Sequence, residues 1–317
     1  MKKLSLQKIS AYFLKKEAKK RWYIIEEISE KKNLFFIKRE EKYVLFKGID
    51  WGLTSKISRE ISVDKNISHI LFKRNNINFP NYIVINKKEL IDYNKIKKIG
   101  YPLVTKPLNW SLGRWVIINI NNQKDLEKAI KHSFNFDNKI IIQNFVEGKN
   151  LRILVINNKV FAGLERIRHH IIWDGESTLK ELLQKENLNT RRWKNVLKSF
   201  LPLIEINEDL ESFIKTQYKM TLSNIPKKNQ KIFLKWNWYS KVIDITDTIE
   251  KKIKNICEKI SKIFNLPIAW VDIIYNKKTK QYRVLEVNSQ PWIKTHHLPM
   301  EWKSRNVAGA ILDLYFK

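Results

Sequence analysis

The amino-acid sequence is poor in glycine and cysteine, and it has no long apolar segment. It contains 8 glycines in 317 residues, about 2.5% where about 7% is usual. Its single cysteine, Cys257, excludes a disulfide framework and any metal site built on cysteines. No apolar run approaches the ~18 residues of a transmembrane helix, and the lysine-rich N-terminus lacks the apolar core of a secretory signal. We therefore expect a cytoplasmic protein without a membrane partner.

Acidic residues are too few to balance the basic ones. The chain has 61 Lys and Arg against 32 Asp and Glu, for a formal net charge of +29. Such a charge is typical of proteins that bind polyanions. However, the lysines are spread along the whole chain among Glu and Asp, and Ile and Asn are abundant, as A/T-rich codons would produce. Base composition of the gene is the simpler explanation of the charge, and a dedicated nucleic-acid surface is the alternative. We do not expect specific nucleic-acid binding.

The pattern of apolar residues predicts an α+β fold with mostly antiparallel sheets. Aromatic residues at 12% exclude a disordered chain, and the sequence has no Walker motif. Asp64 is expected to cap a helix that runs through Arg74. Helices are also expected near 87–98 and over 247–264, the latter capped by Thr246 or Asp247. Strands over 268–275 and 282–288 are separated by a polar turn. We expect three units: an N-terminal α/β lead-in domain (1–63) and two subdomains (64–147 and 148–317).

Lys106 ends a buried strand pattern and precedes a loop that contains Ser111 and Gly113. An ammonium group neutralises phosphate charge, and loop N–H groups donate to phosphate oxygens. The segment therefore suits a phosphate clamp. Taken alone, a lysine at this position is more often a strand-end residue whose ammonium group reaches solvent.

Three oxygen-bearing side chains lie on the two strands near the C-terminus. Asp272 is on the first strand, and Glu286 and Asn288 share one face of the second because strand side chains alternate. Carboxylate and amide oxygens suit Mg²⁺ that bridges nucleotide phosphates. A single buried Asp or an E-x-N pair carries little information, but the order and spacing of the segments together carry more.

In that order the segments resemble the ATP-grasp ligases, and the resemblance is closest to the ATP-grasp module of cyanophycin synthetase and of bifunctional glutathione synthetases. It runs over nearly the whole chain, from about Ile9 to Lys317. The matching segments are Asp64-Lys65, Tyr101–Pro107, Glu147–Arg152, Asp174–Leu182, Arg191-Arg192, Ile243–Asp247, Glu286–Asn288 and Ser304–Val307. The resemblance implies an ATP-grasp fold, in which two α/β subdomains clasp ATP.

The resemblance also implies a role for each site residue. Lys65 and Lys106 would hold the ATP phosphates, with the loop of Ser111 and Gly113 closing over them. The remaining positions would contact adenine (Gln143 and the backbone near Val146), ribose (Asn150), phosphate or substrate (Arg152 and Arg166), the phosphate–metal region (Asn237), and one or two Mg²⁺ or Mn²⁺ ions (Asp272, Glu286 and Asn288).

The resemblance implies amide formation through an acyl phosphate, with an amino acid or short peptide as substrate. Two departures put nucleotide binding in question, because the family usually has acidic residues where this chain has Gln143 and Asn150. A degenerate nucleotide-binding protein without ligase turnover is therefore the alternative. The short segment 235–243 replaces a glycine-rich substrate loop, so the substrates are not carried over. Homodimerisation is common in the family, and no sequence feature decides it here.

Tryptophan is as abundant as tyrosine, with 11 of each. Glycine and tryptophan together make up about 6% of the chain, close to the usual glycine share. Many tryptophans fall where the family has glycine, and the others lie in turn-like segments; the full set is Trp22, Trp51, Trp110, Trp115, Trp173, Trp193, Trp236, Trp238, Trp270, Trp292 and Trp302. We hypothesise that these are UGA codons read as glycine in the source organism. Core aromatic residues are the alternative at one or two positions.

The hypothesis has a consequence for the polypeptide as written. A loop that lays backbone N–H groups against phosphate needs conformational freedom and no bulky side chain. Trp110 and Trp115 would crowd the phosphates, so we expect little ATP turnover from the written chain. The version with glycine at all eleven positions is expected to bind Mg·ATP.

Overall fold

The structure of the chain is a computed structural model. It describes residues 6–108, 116–188, 203–234 and 239–317. The N-terminal region has helix α1 (Leu6–Lys20) and the antiparallel strands β1 (Ile24–Ser29), β2 (Leu34–Arg39) and β3 (Lys42–Lys47), in the order β1-β2-β3. One face of this sheet packs against α1 and the C-terminal helix, and its core continues into strand residues from 154 to 270.

A second sheet has four antiparallel strands. It follows helices α2 (Lys56–Val63) and α3 (Lys65–Arg74) and contains β4 (Tyr82–Asn86), β5 (Leu103–Pro107), β6 (Ile117–Ile120) and β7 (Lys139–Asn144), in the order β4-β7-β5-β6. Helices α4 (Tyr93–Lys97) and α5 (Gln123–Ser133) lie between its strands in sequence. Asp64 begins α3 by accepting hydrogen bonds from the backbone N–H groups of Asn66 and Ile67, as the sequence predicts.

The largest sheet has five antiparallel strands in the order β12-β9-β8-β13-β14. They are β8 (Lys149–Ile156), β9 (Lys159–Arg168), β12 (Tyr239–Asp244), β13 (Ile268–Asn276) and β14 (Gln281–Asn288). Helix α8 (Lys251–Ile263) packs its apolar side against this sheet. The segment between β9 and β12 has its own core around β10 (His170–Ile172), α6 (Leu179–Asn187), α7 (Glu208–Tyr218) and β11 (Lys231–Phe233). The chain ends with α9 (Lys294–His297) and α10 (Val307–Phe316).

The α+β class and the antiparallel pairing predicted from the sequence are confirmed, but two helix predictions are wrong in extent. Only α4 forms within 87–98, because residues 86–89 make a turn in which Asn86 hydrogen-bonds Glu89, and Asp92 then caps α4. The helix expected over 247–264 begins at Lys251. Thr246 is engaged elsewhere, since its hydroxyl accepts from the Gly163 N–H at 3.0 Å.

Candidate functional site

Two lysines from different elements lie close together beside the four-stranded sheet. Lys106 is on the inner strand β5, and Lys65 begins α3. The Lys65 Nζ donates to the Leu108 carbonyl at 2.7 Å, which ties α3 to the end of β5. Burial and the neighbouring Lys65 lower the pKa of Lys106 to about 8, and burial also lowers the pKa of Lys65. The positive charge of Lys65 lowers the pKa of Lys106. Two ammonium groups this close together attract an anion.

Glu286 lies opposite these lysines. Its carboxylate opposes the pKa depression of both Lys65 and Lys106 by attraction. Glu286 is on β14, at the edge of the five-stranded sheet. Lys106 of the four-stranded sheet and Lys65 of α3 are therefore close enough to Glu286 of the five-stranded sheet to be attracted to it, as the sequence analysis expects.

Asp272 is held by two arginines from neighbouring strands. It is 4% exposed and accepts from Arg152 Nε at 2.7 Å and Nη2 at 2.6 Å. The Arg166 Nη2 lies 3.0 Å from its Oδ2. Burial opposes ionisation of this carboxyl, but Arg152 and Arg166 lower the pKa of Asp272 well below its ordinary value. Asp272 is a fully ionised carboxylate in a cationic setting.

The three predicted metal ligands come together. Asp272 is directly opposite Glu286 in the β13–β14 register, and the Asn288 Nδ2 donates to the Glu286 Oε1 at 3.2 Å. Within the described ranges, no group of three or more His, Cys, Asp or Glu side chains is arranged for a metal ion, and Asn288 as the third oxygen ligand remains a prediction. Two carboxylates and an amide are a donor set that fits Mg²⁺, and Asp272 would share its oxygens with the arginines.

Asn150 lies with the arginines. Its Oδ1 accepts from Arg166 Nε at 2.8 Å, and it faces Arg166 across β8 and β9. The structure therefore links Asn150 to Asp272 through Arg166. A contact of Asn150 with ribose remains a prediction.

Gln143 is buried on β7, between β4 and β5, and Val146 follows the strand on the way to β8. Their contacts with adenine also remain predictions. Ser111, Gly113 and Asn237 lie outside the described residues.

The structure adds His69, a residue beside the two lysines that no sequence pattern marks. His69 is 4% exposed and stacks on Phe79, with ring centroids 4.8 Å apart and planes at 9°. Burial, with the charges of Lys106 and Lys65, lowers its pKa to about 4. A neutral imidazole therefore lies behind the phosphate lysines. No local sequence pattern could have identified His69, because α3, Phe79 and β5 come together only in the folded chain.

The described tryptophans fall into two groups. Trp22 and Trp302 are 93% and 76% exposed and have φ of 62° and 73°, a region where a bulky side chain is a rare outlier. Trp51, Trp173 and Trp270 are buried in cores, and Trp292 packs edge-on against Trp270. The first group fits the glycine hypothesis, and the second fits core aromatics. The other five (Trp110, Trp115, Trp193, Trp236 and Trp238) lie outside the described residues.

Trp270 also closes one side of the Asp272 cluster. The Arg152 guanidinium lies 4.2 Å from its ring centroid, and its Nε1 donates to the buried His296 at 3.3 Å. A separate surface cavity of about 470 Å³ is lined by Asn66, Tyr82 and seven residues between 83 and 95. None of Lys65, Lys106, Arg152, Arg166, Asp272 and Glu286 lines it, so this cavity is distinct from the predicted site.

Comparison with known proteins agrees with the geometry. Residues 62–176 match the model of the RimK-like ATP-grasp domain. Over 83% of its length the chain is 29% identical to a cyanophycin synthetase of Trichormus variabilis and 30% identical to the glutathione biosynthesis bifunctional protein GshAB of Clostridium perfringens. It spans only 30% and 35% of these proteins, about a third of their length.

Solved structures show the same fold. A bifunctional glutathione synthetase from Pasteurella multocida aligns with 97% of this chain and 44% of its own, at a TM-score of 0.65 and 20% identity. A D-alanine–D-alanine ligase from Bacillus anthracis aligns with 83% of this chain and 68% of its own, at a TM-score of 0.53 and 17% identity. These relatives and neighbours are ATP-grasp carboxylate–amine ligases. In the described part of the chain, no helix combines the length and apolar character needed to cross a bilayer.

Proposed function

We propose that this chain, which carries a RimK-like ATP-grasp domain within an ATP-grasp fold, is an ATP-dependent carboxylate–amine ligase. The observation that supports the proposal is the attraction of both Lys65 and Lys106 to Glu286. This arrangement gives a polyphosphate cationic partners on one wall and metal-binding oxygens on the other.

Lys65 and Lys106 would bind phosphate oxygens of ATP. Both ammonium groups are partly desolvated, which strengthens their attraction to an anion. The backbone N–H groups of the loop that contains Ser111 and Gly113 would donate hydrogen bonds to the phosphate oxygens. Gln143 and the backbone at Val146 would contact adenine, and Asn150 the ribose side, where its amide supplies a neutral partner in place of a carboxylate.

Asp272, Glu286 and Asn288 would hold Mg²⁺. When bound, the ion neutralises charge on the phosphates and orients them for transfer. Arg152 and Arg166 keep Asp272 ionised, and their guanidinium groups remain beside the reacting oxygens. Asn237 would contact the phosphates near the metal.

The reaction joins an acid to an amine in two displacements. A carboxylate oxygen of the first substrate attacks the γ-phosphorus of ATP, the bond to the β-phosphate oxygen breaks, and ADP leaves. The amine of the second substrate then attacks the acyl carbon, and the C–O bond to phosphate breaks. Inorganic phosphate leaves, the nitrogen loses a proton, and an amide remains. Arg152 and Arg166 would stabilise the oxyanion of the tetrahedral stage.

An amino acid or short peptide is the substrate class that we propose, by analogy with the named products of the relatives. This step rests on the family alone, because the segment that would contact the substrates includes residues 235–238, outside the described ranges.

A nucleotide-binding protein without ligase turnover is the second candidate. It is favoured by Gln143 and Asn150, which replace acidic residues of the family, and by the two hydrogen bonds that Arg152 donates to Asp272. Such a protein would bind Mg·ATP and leave it intact.

The test is a two-step assay on the written chain and on a version with Trp110 and Trp115 replaced by glycine, which keeps the buried tryptophans Trp51, Trp173 and Trp270. Calorimetry measures Mg·ATP binding, and a screen of amino acids and dipeptides then measures ADP release and amide product. Lys106→Met is the inactive control, and Lys251→Glu on the outside of α8 is the matched surface control. ADP and amide formed in equal amounts support the ligase. Binding without turnover supports the second candidate, and no binding by either version contradicts both.

A further inference from the structure

Strand β4 lies at one edge of the four-stranded sheet and pairs there with β7. Two backbone hydrogen bonds beside the paired segment fix the direction of its backbone groups. The Lys87 N–H donates to the Asn138 carbonyl at 2.9 Å, and the Asn144 N–H donates to the Asn81 carbonyl at 3.1 Å. Because the direction alternates along an antiparallel strand, the odd-numbered residues of β4 point their N–H and C=O groups toward β7. The even-numbered residues point theirs toward the open edge.

The even-numbered residues of β4 are Tyr82, Val84 and Asn86. The turn after β4 uses the outward groups of Asn86. The Glu89 carboxylate accepts from its N–H at 3.3 Å, and the Glu89 N–H donates to its carbonyl at 3.0 Å. The outward groups of Tyr82 and Val84, two N–H and two C=O in all, form no hydrogen bond with any residue that the structure describes.

Over its whole described length, β4 lacks the features that usually protect an edge strand. Edge strands in natural proteins often carry a lysine, a proline or a bulge, which prevents pairing with another chain. The strand β4 reads Tyr-Ile-Val-Ile-Asn, in which strong strand formers dominate, and its register with β7 has no bulge. Pro80 lies before the strand and removes no N–H group from it. The edge at Tyr82 and Val84 therefore favours the addition of a further strand.

A surface cavity of about 470 Å³ lies along this open edge. Residues 82–85 of β4 form its floor. Alternate residues of a strand face opposite sides of the sheet, so the cavity has two walls. Asn66 of α3 lies on the side of Tyr82, whose ring packs on that helix. Four of residues 89–95 form the other wall, on the side of Ile85 and its core. We call this cavity the β4 groove.

The wall formed by residues 89–95 combines an apolar side chain with an unbalanced negative charge. Leu90 is 99% exposed. Asp92 is offset by Lys95, whose Nζ lies 3.5 Å from its Oδ2. The Glu89 carboxylate accepts hydrogen bonds from Asn86 and makes no ion pair with a described residue. In a chain with a net charge of +29, this carboxylate favours a partner that brings its own positive charge.

We propose that the β4 groove binds an extended segment of another polypeptide, which adds a fifth, antiparallel strand to the four-stranded sheet. The open groups identify this partner, because an extended backbone presents N–H and C=O groups at the same spacing as a strand edge. An apolar side chain of the segment would cover Leu90, and a lysine or arginine on the same face would pair with Glu89. Since the contact is short, we expect a dissociation constant on the order of 100 µM.

The probe is a fluorescein-labelled peptide, Thr-Val-Thr-Lys-Thr-Val-Thr-Lys, which places valine and lysine on one face and threonine on the other. Fluorescence anisotropy of this peptide, titrated with the full chain, measures binding without ATP and is therefore independent of the ligase proposal. The expected dissociation constant is on the order of 100 µM.

Two methylated peptides test the strand pairing. Residues paired across antiparallel strands share a face, so the threonines would be the residues opposite Tyr82 and Val84. Methylation of the threonine nitrogens removes the N–H groups that bond β4 and should weaken binding at least about tenfold. Methylation of the valine and lysine nitrogens changes only groups that point to solvent. This peptide is the matched control and should bind within about threefold of the parent peptide.

Val84→Pro tests the protein side of the pairing. It removes an outward N–H that forms no bond to β7, and proline is tolerated at such a position of an edge strand. Peptide binding should weaken at least about tenfold, since the proline has no N–H to donate. Val84→Ala keeps the N–H and is the matched control, with an affinity within about threefold of the parent chain. Glu89→Gln removes the charge and should weaken binding about threefold.

Circular dichroism checks that each variant is folded, and the two methylated peptides give an answer that needs no variant. The proposal is overturned if the parent peptide does not bind, or if the two methylated peptides bind equally well. It is also overturned if Val84→Pro binds the peptide as tightly as Val84→Ala. A chain that dimerises in sedimentation velocity and becomes monomeric with Val84→Pro would overturn it in favour of a second copy in the groove.

Discussion

Arg152 and Asp272 lie side by side on β8 and β13 and share two hydrogen bonds of 2.7 and 2.6 Å. The pair is almost excluded from solvent, and Arg166 adds a second positive charge to the same carboxylate. The carboxylate that the sequence assigns to a metal is thus also the centre of an ion-pair cluster. Its two roles lead to a prediction about stability.

Asp272→Asn should destabilise the fold. Removing one partner of a buried ion pair leaves the arginine charges uncompensated, at a cost of about 3–5 kcal/mol. Urea unfolding measures the change. Glu286→Gln is the comparison variant; its half-buried carboxylate accepts from Asn288 Nδ2 and attracts Lys65 and Lys106. It should cost less than about 1 kcal/mol. Equal losses for the two variants would contradict the special role of Asp272.

The same cluster predicts an acid-labile contribution to stability. The folded pKa of Asp272 is depressed, so its stabilisation is fully present above the unfolded value of about 3.9 and is lost as pH falls below it. Unfolding free energies between pH 6 and pH 3, chosen to bracket the unfolded value of about 3.9, should fall more steeply for the written chain than for Asp272→Asn. Parallel pH profiles for the two proteins would rule this out.

Lys106 predicts the opposite trend in alkaline solution. In the folded chain its pKa is about 8, below the ordinary lysine value of 10.5. Between these pKa values the unfolded chain binds the proton more strongly, so the free energy of unfolding rises with pH by up to about 3 kcal/mol. Urea unfolding at about pH 7.5 and about pH 10, which cover most of this interval, should show the rise. Lys106→Met removes the group and should abolish that part of the rise.

How far the sequence could predict the site depends on whether its signal is local. The cap at Asp64 and the opposed pair Asp272–Glu286 follow from short-range rules, the cap residue and the strand alternation, and both are confirmed. The pairing of Arg152 and Arg166 with Asp272 depends on the strand order of the large sheet, which brings together residues 120 positions apart. His69 and the late start of α8 are likewise set by tertiary contacts, which no local pattern contains.

The two groups of tryptophans should respond oppositely to replacement by glycine. Trp22→Gly and Trp302→Gly release a bulky residue from the left-handed region and should stabilise the chain, by about 1 kcal/mol each. Trp173 is 1% exposed, and its Nε1 donates to the Ser177 carbonyl at 2.7 Å. Trp173→Gly alone should therefore cost about 3–5 kcal/mol. Urea unfolding of the three variants checks both signs, and a loss at Trp22 and Trp302 would count against glycine there.

The gene itself tests the codon hypothesis independently of stability. UGA at the codons for Trp110, Trp115 and Trp292 is the predicted result. UGG at these three positions would end the hypothesis, and the three tryptophans would then be native residues.

If Lys106 and Glu286 bind the same Mg·ATP, their substitutions should not act independently. A double-mutant cycle with Lys106→Met and Glu286→Gln, made in a chain with glycine at Trp110 and Trp115 and followed by calorimetric titration with ATP at varied Mg²⁺, measures this dependence. We expect Mg²⁺-dependent binding and a coupling energy of at least about 1 kcal/mol between the two substitutions. Binding that ignores Mg²⁺, or effects that add within about 0.3 kcal/mol, would contradict the proposed site.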